Sequence, residues 1–381
     1  MPRTLSLFAA CQPGIEPLLA REVAALGAQP QPVAGGVEFS GDCVLAMRAA
    51  RWLGTASHLM LRVAEFRCRA PGELERKAAE IAWREWLRPD VPLATRATSR
   101  ASRVFHTGLI AERVRSAIER ALGSAPPLAE SADAPAARLQ VRFHRDVCTI
   151  SLEATSAPLH RRGYRLDAAK APLREDLAHA LVLASGWEPG DALLDPFCGS
   201  GTIAIEAAGI ARALAPGRLL APALEHLALW DARAWRTVSS ETRPARASAI
   251  SASDRDAGAI EAARANAARA GVEDAIAFER AAITKNAWLA APGAAPTRGA
   301  LVTNPPFGRR VSEAKKLETL YQALGHRAAR LGDGWRVAIL AHDVRLARRS
   351  GLALELAFAT KHGGLSVSAL AGAARLRESE A

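Results

Sequence analysis

With 381 residues, 49% apolar and 23% charged, the chain has an ordinary globular composition and length for two or three domains. No run approaches the roughly eighteen uninterrupted apolar residues of a membrane-crossing helix, which argues against a helical span. Fifty lysines and arginines against thirty-nine acidic residues leave a net charge of +11, nearly all of it arginine.

That charge suits a polyanionic partner, because guanidinium forks match phosphate geometry; an arginine-rich codon bias would give the same charge without one. Cys11, Cys43, Cys68, Cys148 and Cys198 lie far apart, in no metal-ligand spacing. They predict reduced thiols in a cytoplasmic protein and no metal site. The N-terminal MPRTLSLFAACQPGIEP lacks a convincing signal-peptide cleavage site, and Pro13, Gly14 and Glu16 read as a strand running into a helix.

Residues 1–65 read strand-helix-strand-helix-strand: LSLFAA, GIEPLLAREVAALG, GGVEFSG, CVLAMRAARWLG and SHLMLRVAEFRC. This order predicts a ferredoxin-like domain. Across 66–158, ELERKAAEIAWREWL and GLIAERVRSAIERALG are predicted helices. RLQVRFHRDVCTISLEA is a predicted hairpin turning near Arg145-Asp146, and SAPPLAESADAPAA a surface loop. Arg96, Arg100, Arg103, Arg113 and Arg115 gather here with His106, either as a solvated face or as a nucleic-acid surface. The basic, turn-forming HRRGYRLDAAKAPLRED, with Arg161, Arg162 and Arg165, reads as a linker into a third domain, 159–381.

In that third region helices alternate with the strands DALLDPF, ASAISASD, AIAFERA, GALVTNPP and WRVAILAHD, and two further strands form a terminal hairpin around Gly363-Gly364. Such alternation predicts a doubly wound α/β fold with its ligand beyond the C-terminal ends of the strands. LLDPFCGSGTIAIEAA carries the strongest signal. A strand closes on Asp195, turns through Pro196, Phe197, Gly199, Ser200 and Gly201, and opens a helix at Thr202. The third glycine of a dinucleotide turn and the GK[ST] of a phosphate loop are both absent, so an acid-closed strand points to S-adenosyl-L-methionine. The acid for the ribose hydroxyls is Asp254, closing ASAISASD, rather than Glu225; Asp256 is expected to cap the following helix. Asn304-Pro305-Pro306-Phe307 ends the fourth strand. There the Asn304 side chain and Pro305 carbonyl can accept from an exocyclic amine while Phe307 stacks on the base.

These motifs, with CQPGIEPLLAREVAALG, HTGLIAERVRSAI, LHRRGYRLDAAKAPLRE and KHGGLSVSAL, resemble the RlmL-type bacterial ribosomal RNA guanine-N2 methyltransferases. The resemblance implies a ferredoxin-like domain (1–65), a THUMP RNA-binding domain (66–158) and a Rossmann-like methyltransferase domain (159–381). It implies methyl transfer to a guanine N2 in large-subunit ribosomal RNA. A transfer RNA guanine-N2 enzyme, an N6-adenine methylase and an inactive RNA-binding assembly protein are the alternatives. One departure stands out: Ala282 occupies the place of an expected adenine-binding Asp, with Glu279 or a backbone carbonyl as the substitute.

Overall fold

The computed structural model describes residues 3–131, 134–166, 173–291, 293–306 and 314–377. It forms two compact units, each built on a seven-stranded sheet. The first takes residues up to Cys11, Leu19–Leu159 and Leu220–Glu241; the second takes Gln12–Leu18, His160–Leu219 and the chain from Thr242.

In the first unit the elements run β1 (Leu5–Ala10), α1 (Glu16–Ala25), β2 (Gln31–Val33), β3 (Gly36–Gly41), α2 (Cys43–Trp52) and β4 (His58–Arg67). Then come α3 (Pro71–Ala79), β5 (Leu93–Arg100), α4 (Thr107–Leu122), β6 (Ala137–His144) and β7 (Val147–Glu153). The sheet order is β2-β3-β1-β4-β7-β6-β5. Period-two alternation puts Leu7, Phe39, Leu61, Val141, Phe143, Ile150 and Leu152 on one buried face, while the other carries mostly polar residues together with Phe8 and Met60. The hairpin turns at Arg145 (φ 51°) and Asp146 (φ 62°), the paired left-handed geometry that matches strand twist.

The long helix expected over ELERKAAEIAWREWL ends at Ala79. Trp83, only 1% exposed, sits in a separate 3-10 turn with its indole N–H donating to the Ala78 carbonyl at 2.8 Å. Burying that ring draws the chain out of the helical path. The insertion at 221–247 contributes a 3-10 turn (Ala223–His226) and α7 (Ala232–Ser239) to the first unit. Arg48 donates to the Glu241 carboxylate at 2.7 Å, Arg51 to the Ser239 carbonyl at 2.6 Å, and Ala228 N–H to the Trp86 carbonyl at 2.9 Å.

The second unit comprises α5 (Glu175–Ala184), β8 (Ala192–Asp195), α6 (Thr202–Ala211), β9 (Ile250–Asp254), α8 (Ala257–Ala270), β10 (Ile276–Arg280) and α9 (Ala287–Ala290). It continues with β11 (Gly299–Thr303), α10 (Ala314–Ala329), β12 (Trp335–Ala341), α11 (Val344–Arg348), β13 (Leu352–His362) and β14 (Leu365–Leu376). The order β10-β9-β8-β11-β12-β14-β13 is parallel through β12, and β14 runs antiparallel to both its neighbours. Every residue of β8 and β11 is buried, as helices on both faces of a parallel sheet require. This is the doubly wound, Rossmann-like architecture with its terminal hairpin.

Within the basic junction, the described Arg162, Tyr164 and Arg165 are not solvated. The side chains of Arg162 and Tyr164 are buried against Glu206 of α6. The Tyr164 hydroxyl donates to Glu206 Oε1 at 3.1 Å, Arg162 Nε lies 3.6 Å from that oxygen, and His179 Nδ1 is 3.0 Å from the other. Arg165, 12% exposed, pairs with Glu175 at 3.2 Å and donates to the Leu173 carbonyl at 2.6 Å. Expected as RNA contacts, Arg162 and Arg165 are instead counterions for buried carboxylates.

Candidate functional site

Because β8, β9, β10 and β11 are parallel, their C-terminal residues meet along one edge. Asp195 closes β8, Asp254 closes β9, Ala281–Ile283 follow β10, and Asn304–Pro306 follow β11. Asp195, Asp254, Ala281, Ala282, Ile283, Asn304 and Pro306 line a cavity of about 670 Å³. Pro196, Phe197, Gly199, Ser200 and Thr202 line it too, so most of the predicted loop converges there.

Asp195 is buried in the site. Its side chain is 1% exposed, and Oδ1 accepts from the Thr303 hydroxyl at 2.7 Å and the Phe197 N–H at 3.2 Å. Oδ2 is buried and has no hydrogen-bond partner among the described residues. Burial pushes the carboxyl up to about 7, against the two donors, and the negative Asp254 nearby pushes the same way.

The two loop glycines act differently. Gly199 (φ +51°) has no atom within 4 Å of where a Cβ would stand, so its backbone is open to a ligand. Gly201 (φ +83°) would bring a Cβ to 3.0 Å from the Ala263 Cβ of α8, so it serves close helix packing. Gly201 is also the N-cap of α6, with no side-chain acceptor for the first-turn N–H groups.

Asp254 shapes this loop directly: Oδ2 accepts from the Gly199 N–H at 3.1 Å and Oδ1 from the Asp256 N–H at 3.0 Å. Asp256 caps α8 as expected, accepting from the Ala259 N–H at 3.2 Å. Glu225 lies in the insertion, which belongs to the first unit, and is absent from the cavity wall.

Asn304 points a buried Oδ1 with no hydrogen-bond partner among the described residues. Pro306 lines the cavity, Pro305 is buried outside its wall, and Phe307 lies outside the described residues. Ala282 lines the cavity as expected for its position, but Glu279 does not. Its Oε2 accepts from the Ala287 N–H at 3.1 Å and from Asn286 at 3.4 Å, so the carboxylate is engaged at the start of α9.

Leu173, Cys198, Ile203, Arg255, Ile283, Lys316, Leu317 and Leu320 complete the wall and were not anticipated as site residues. Lys316, Leu317 and Leu320 share α10 and the others come from separate segments, each inside an ordinary apolar or charged run. Thr303 was also missed, although a hydroxyl beside Asn304 in LVTNPP was its signal.

Of the expected RNA contacts, Arg96 and Arg100 are exposed on β5, and Arg103 and Arg161 are exposed in loops. Arg113 on α4 is held by Glu75 at 2.8 Å. No helix among the described residues is long and apolar enough to cross a membrane.

Comparison with known proteins agrees with this architecture. Family models match at residues 6–60 for an RlmL ferredoxin-like domain, 69–153 for a THUMP domain, and 162–365 for an RMKL-like methyltransferase domain. A curated relative from Syntrophotalea carbinolica, named ribosomal RNA large subunit methyltransferase K/L, is 35% identical over 96% of this chain. The chain spans only 53% of that relative's length. Among solved structures, SMU.472 complexed with SAH is 26% identical with a TM-score of 0.88, covering 100% of both chains. A protein from Listeria monocytogenes, titled a predicted N6-adenine-specific DNA methylase, is 28% identical with a TM-score of 0.84, covering 96% of each chain. With a ferredoxin-like and a THUMP match ahead of a catalytic-domain match over more than half its length, the chain belongs to the RMKL-like methyltransferase-domain family.

Proposed function

We propose that this chain is an S-adenosylmethionine-dependent RNA methyltransferase acting on the exocyclic N2 amine of a guanine, in large-subunit ribosomal RNA. It would work in the cytoplasm, where thiols stay reduced. The observation that carries the reading is a pair of buried acceptors in one cavity with no partner among the described residues: Asp195 Oδ2 and Asn304 Oδ1. A buried acceptor left unmade costs about 1–3 kcal/mol, so both fit donors brought by ligands.

The wall fits the cofactor in three places. Asp195 would accept from its ammonium group, Asp254 from its ribose hydroxyls, and the open Gly199 backbone would lie against it. When bound, S-adenosylmethionine supplies a methyl group activated by a sulfonium. Asn304 Oδ1 and the Pro305 carbonyl would accept the two N2–H bonds of the guanine, which turns the nitrogen lone pair toward that methyl. Phe307 would stack on the base. Asn304 and Pro305 thus supply alignment, which can carry most of the rate, and the surplus N2 proton leaves to water without a dedicated base.

The curated relative's name supports ribosomal RNA; a transfer RNA guanine remains the alternative substrate, and the Listeria protein's title raises N6-adenine. Mass spectrometry of nucleosides from a deletion strain tests all three. Loss of one N2-methylguanosine from large-subunit RNA supports the proposal. Loss from transfer RNA moves the substrate, and loss of an N6-methyladenine, or of nothing, sinks the guanine reading.

A further inference from the structure

β5 is the edge strand of the first unit's sheet and pairs in parallel with β6. Arg96 faces Gln140 across the pair, Thr98 faces Arg142, and Arg100 faces His144. Successive residues alternate between faces, so Arg96, Arg100 and Arg142 share the face opposite the buried Leu139, Val141 and Phe143. Strand geometry sets Arg96 and Arg100 roughly 13 Å apart, with Arg142 about 8 Å from each.

All three arginines are exposed, and none has an ion pair among the described residues. Two carboxylates on this face bond to neutral donors instead of to these arginines: Glu153 accepts from Gln140 at 2.5 Å and Glu65 from the Thr149 hydroxyl at 3.1 Å. The helical side differs. There Arg113 and Arg120 share Glu75, Arg76 pairs with Glu80, and Lys77 with Glu73. Arg96, Arg100 and Arg142 therefore stay outside the ion pairs that hold Arg76, Lys77, Arg113 and Arg120 on the helices.

The loop after β5 adds an aromatic. Phe105 is 62% exposed, and its ring lies 4.1 Å from that of His106. Four hydrogen bonds fix the backbone behind it. Ser99 Oγ donates to the Val104 carbonyl at 2.8 Å and Ser102 Oγ to the Arg100 carbonyl at 3.1 Å. Arg103 N–H donates to Asp146 Oδ1 at 2.8 Å, and Asp146 N–H to Ser102 Oγ at 3.0 Å. Val104 is buried, so Phe105 is presented to water from an anchored loop, with little ordering left to lose on binding.

We propose that the open face of β5 and β6, with the Phe105 loop, is a docking surface for single-stranded RNA. Arg96, Arg142 and Arg100 contact phosphates, and Phe105 beside His106 stacks an unpaired base. This rests on the RNA reading above and adds which surface holds the strand. An aromatic ring can stack only on a base free of its own stack, which selects single strands over duplex.

Fluorescence anisotropy with the full chain, a labelled twelve-nucleotide oligouridylate and a salt titration tests the proposal. Phe105→Ala should weaken binding about tenfold with an unchanged salt slope, and Phe105→Trp should retain it. Arg96→Gln, Arg100→Gln and Arg142→Gln together should flatten the log–log salt slope by about 2. Arg113→Gln with Arg120→Gln, on the helical side, should bind as wild type. If the wild type binds and the sheet-face variants match it, or the helical pair loses as much, this surface is wrong while the RNA reading survives. If the wild type binds no RNA, both fall.

Discussion

Asp195→Asn should stabilise the unliganded protein, and by an amount that depends on pH. The carboxyl is 1% exposed and is pushed from 3.8 to about 7, chiefly by burial. A raised acid binds its proton more tightly in the folded state than in the unfolded state. Stability is therefore highest below pH 3.8 and falls as pH climbs toward 7, where the penalty is complete. Its full size is about 4 kcal/mol at 1.36 kcal/mol per pH unit. Asparagine removes the charge and keeps an oxygen for both the Thr303 hydroxyl and the Phe197 N–H. Thermal unfolding of the two proteins without cofactor should differ by about 10 °C at pH 8, taking 2–4 °C per kcal/mol. At pH 5 the gap should fall to less than half, because the wild-type carboxyl is then largely protonated when folded. The same substitution should weaken cofactor binding at least about tenfold, since Oδ2 is the free acceptor. A gap equal at both pH values, or an asparagine variant less stable at pH 8, would refute the reasoning.

Asn304→Ala should lower methyl transfer by at least about a hundredfold, from ~3 kcal/mol of lost transition-state alignment, while calorimetry shows near wild-type cofactor affinity. Asp254→Ala should weaken cofactor binding about ten- to a hundredfold, and Glu225→Ala should leave it unchanged, because only Asp254 is in the cavity wall. Glu206→Gln should cost about 3–5 kcal/mol in denaturant unfolding by stranding Arg162. Burial raises the Glu206 carboxyl, but Arg162, His179 and Tyr164 outweigh it and hold it below 4.5, so this contribution is present above that pH and lost on acidification.

The parts of the fold that could be read from the chain are those whose signal is local. DPFCGSGT carries its own strand end, turn and helix start, and alternation alone placed Asp195, Asp254 and Asn304 on one edge. β5 escaped because LATRATSR is an edge strand with one side in water, so arginines and threonines stand where a central strand would show valines. The helix through Trp83 was overrun because the ring's burial depends on elements distant in sequence.

The junction shows why the remainder was hidden. HRRGYR has the composition of a solvated linker, and nothing within it says otherwise. The signal sat forty residues on, in TIAIEAAGIA, where Glu206 is a lone acid on a helix whose other residues are apolar or small. A helix so apolar on every side is buried, and a carboxylate within it needs a cation and hydrogen-bond donors. Arg162, Tyr164 and His179 supply them. A start point at Ala171 for an isolated catalytic unit would therefore remove the Glu206 counterion along with the region proposed to hold RNA. It would also remove Gln12–Leu18, which belongs to the second unit, and leave the insertion 220–241 without the first unit it folds into. Loss of RNA binding by such a fragment would not separate RNA capture from unfolding, whereas the sheet-face substitutions, made on exposed side chains of the full chain, do.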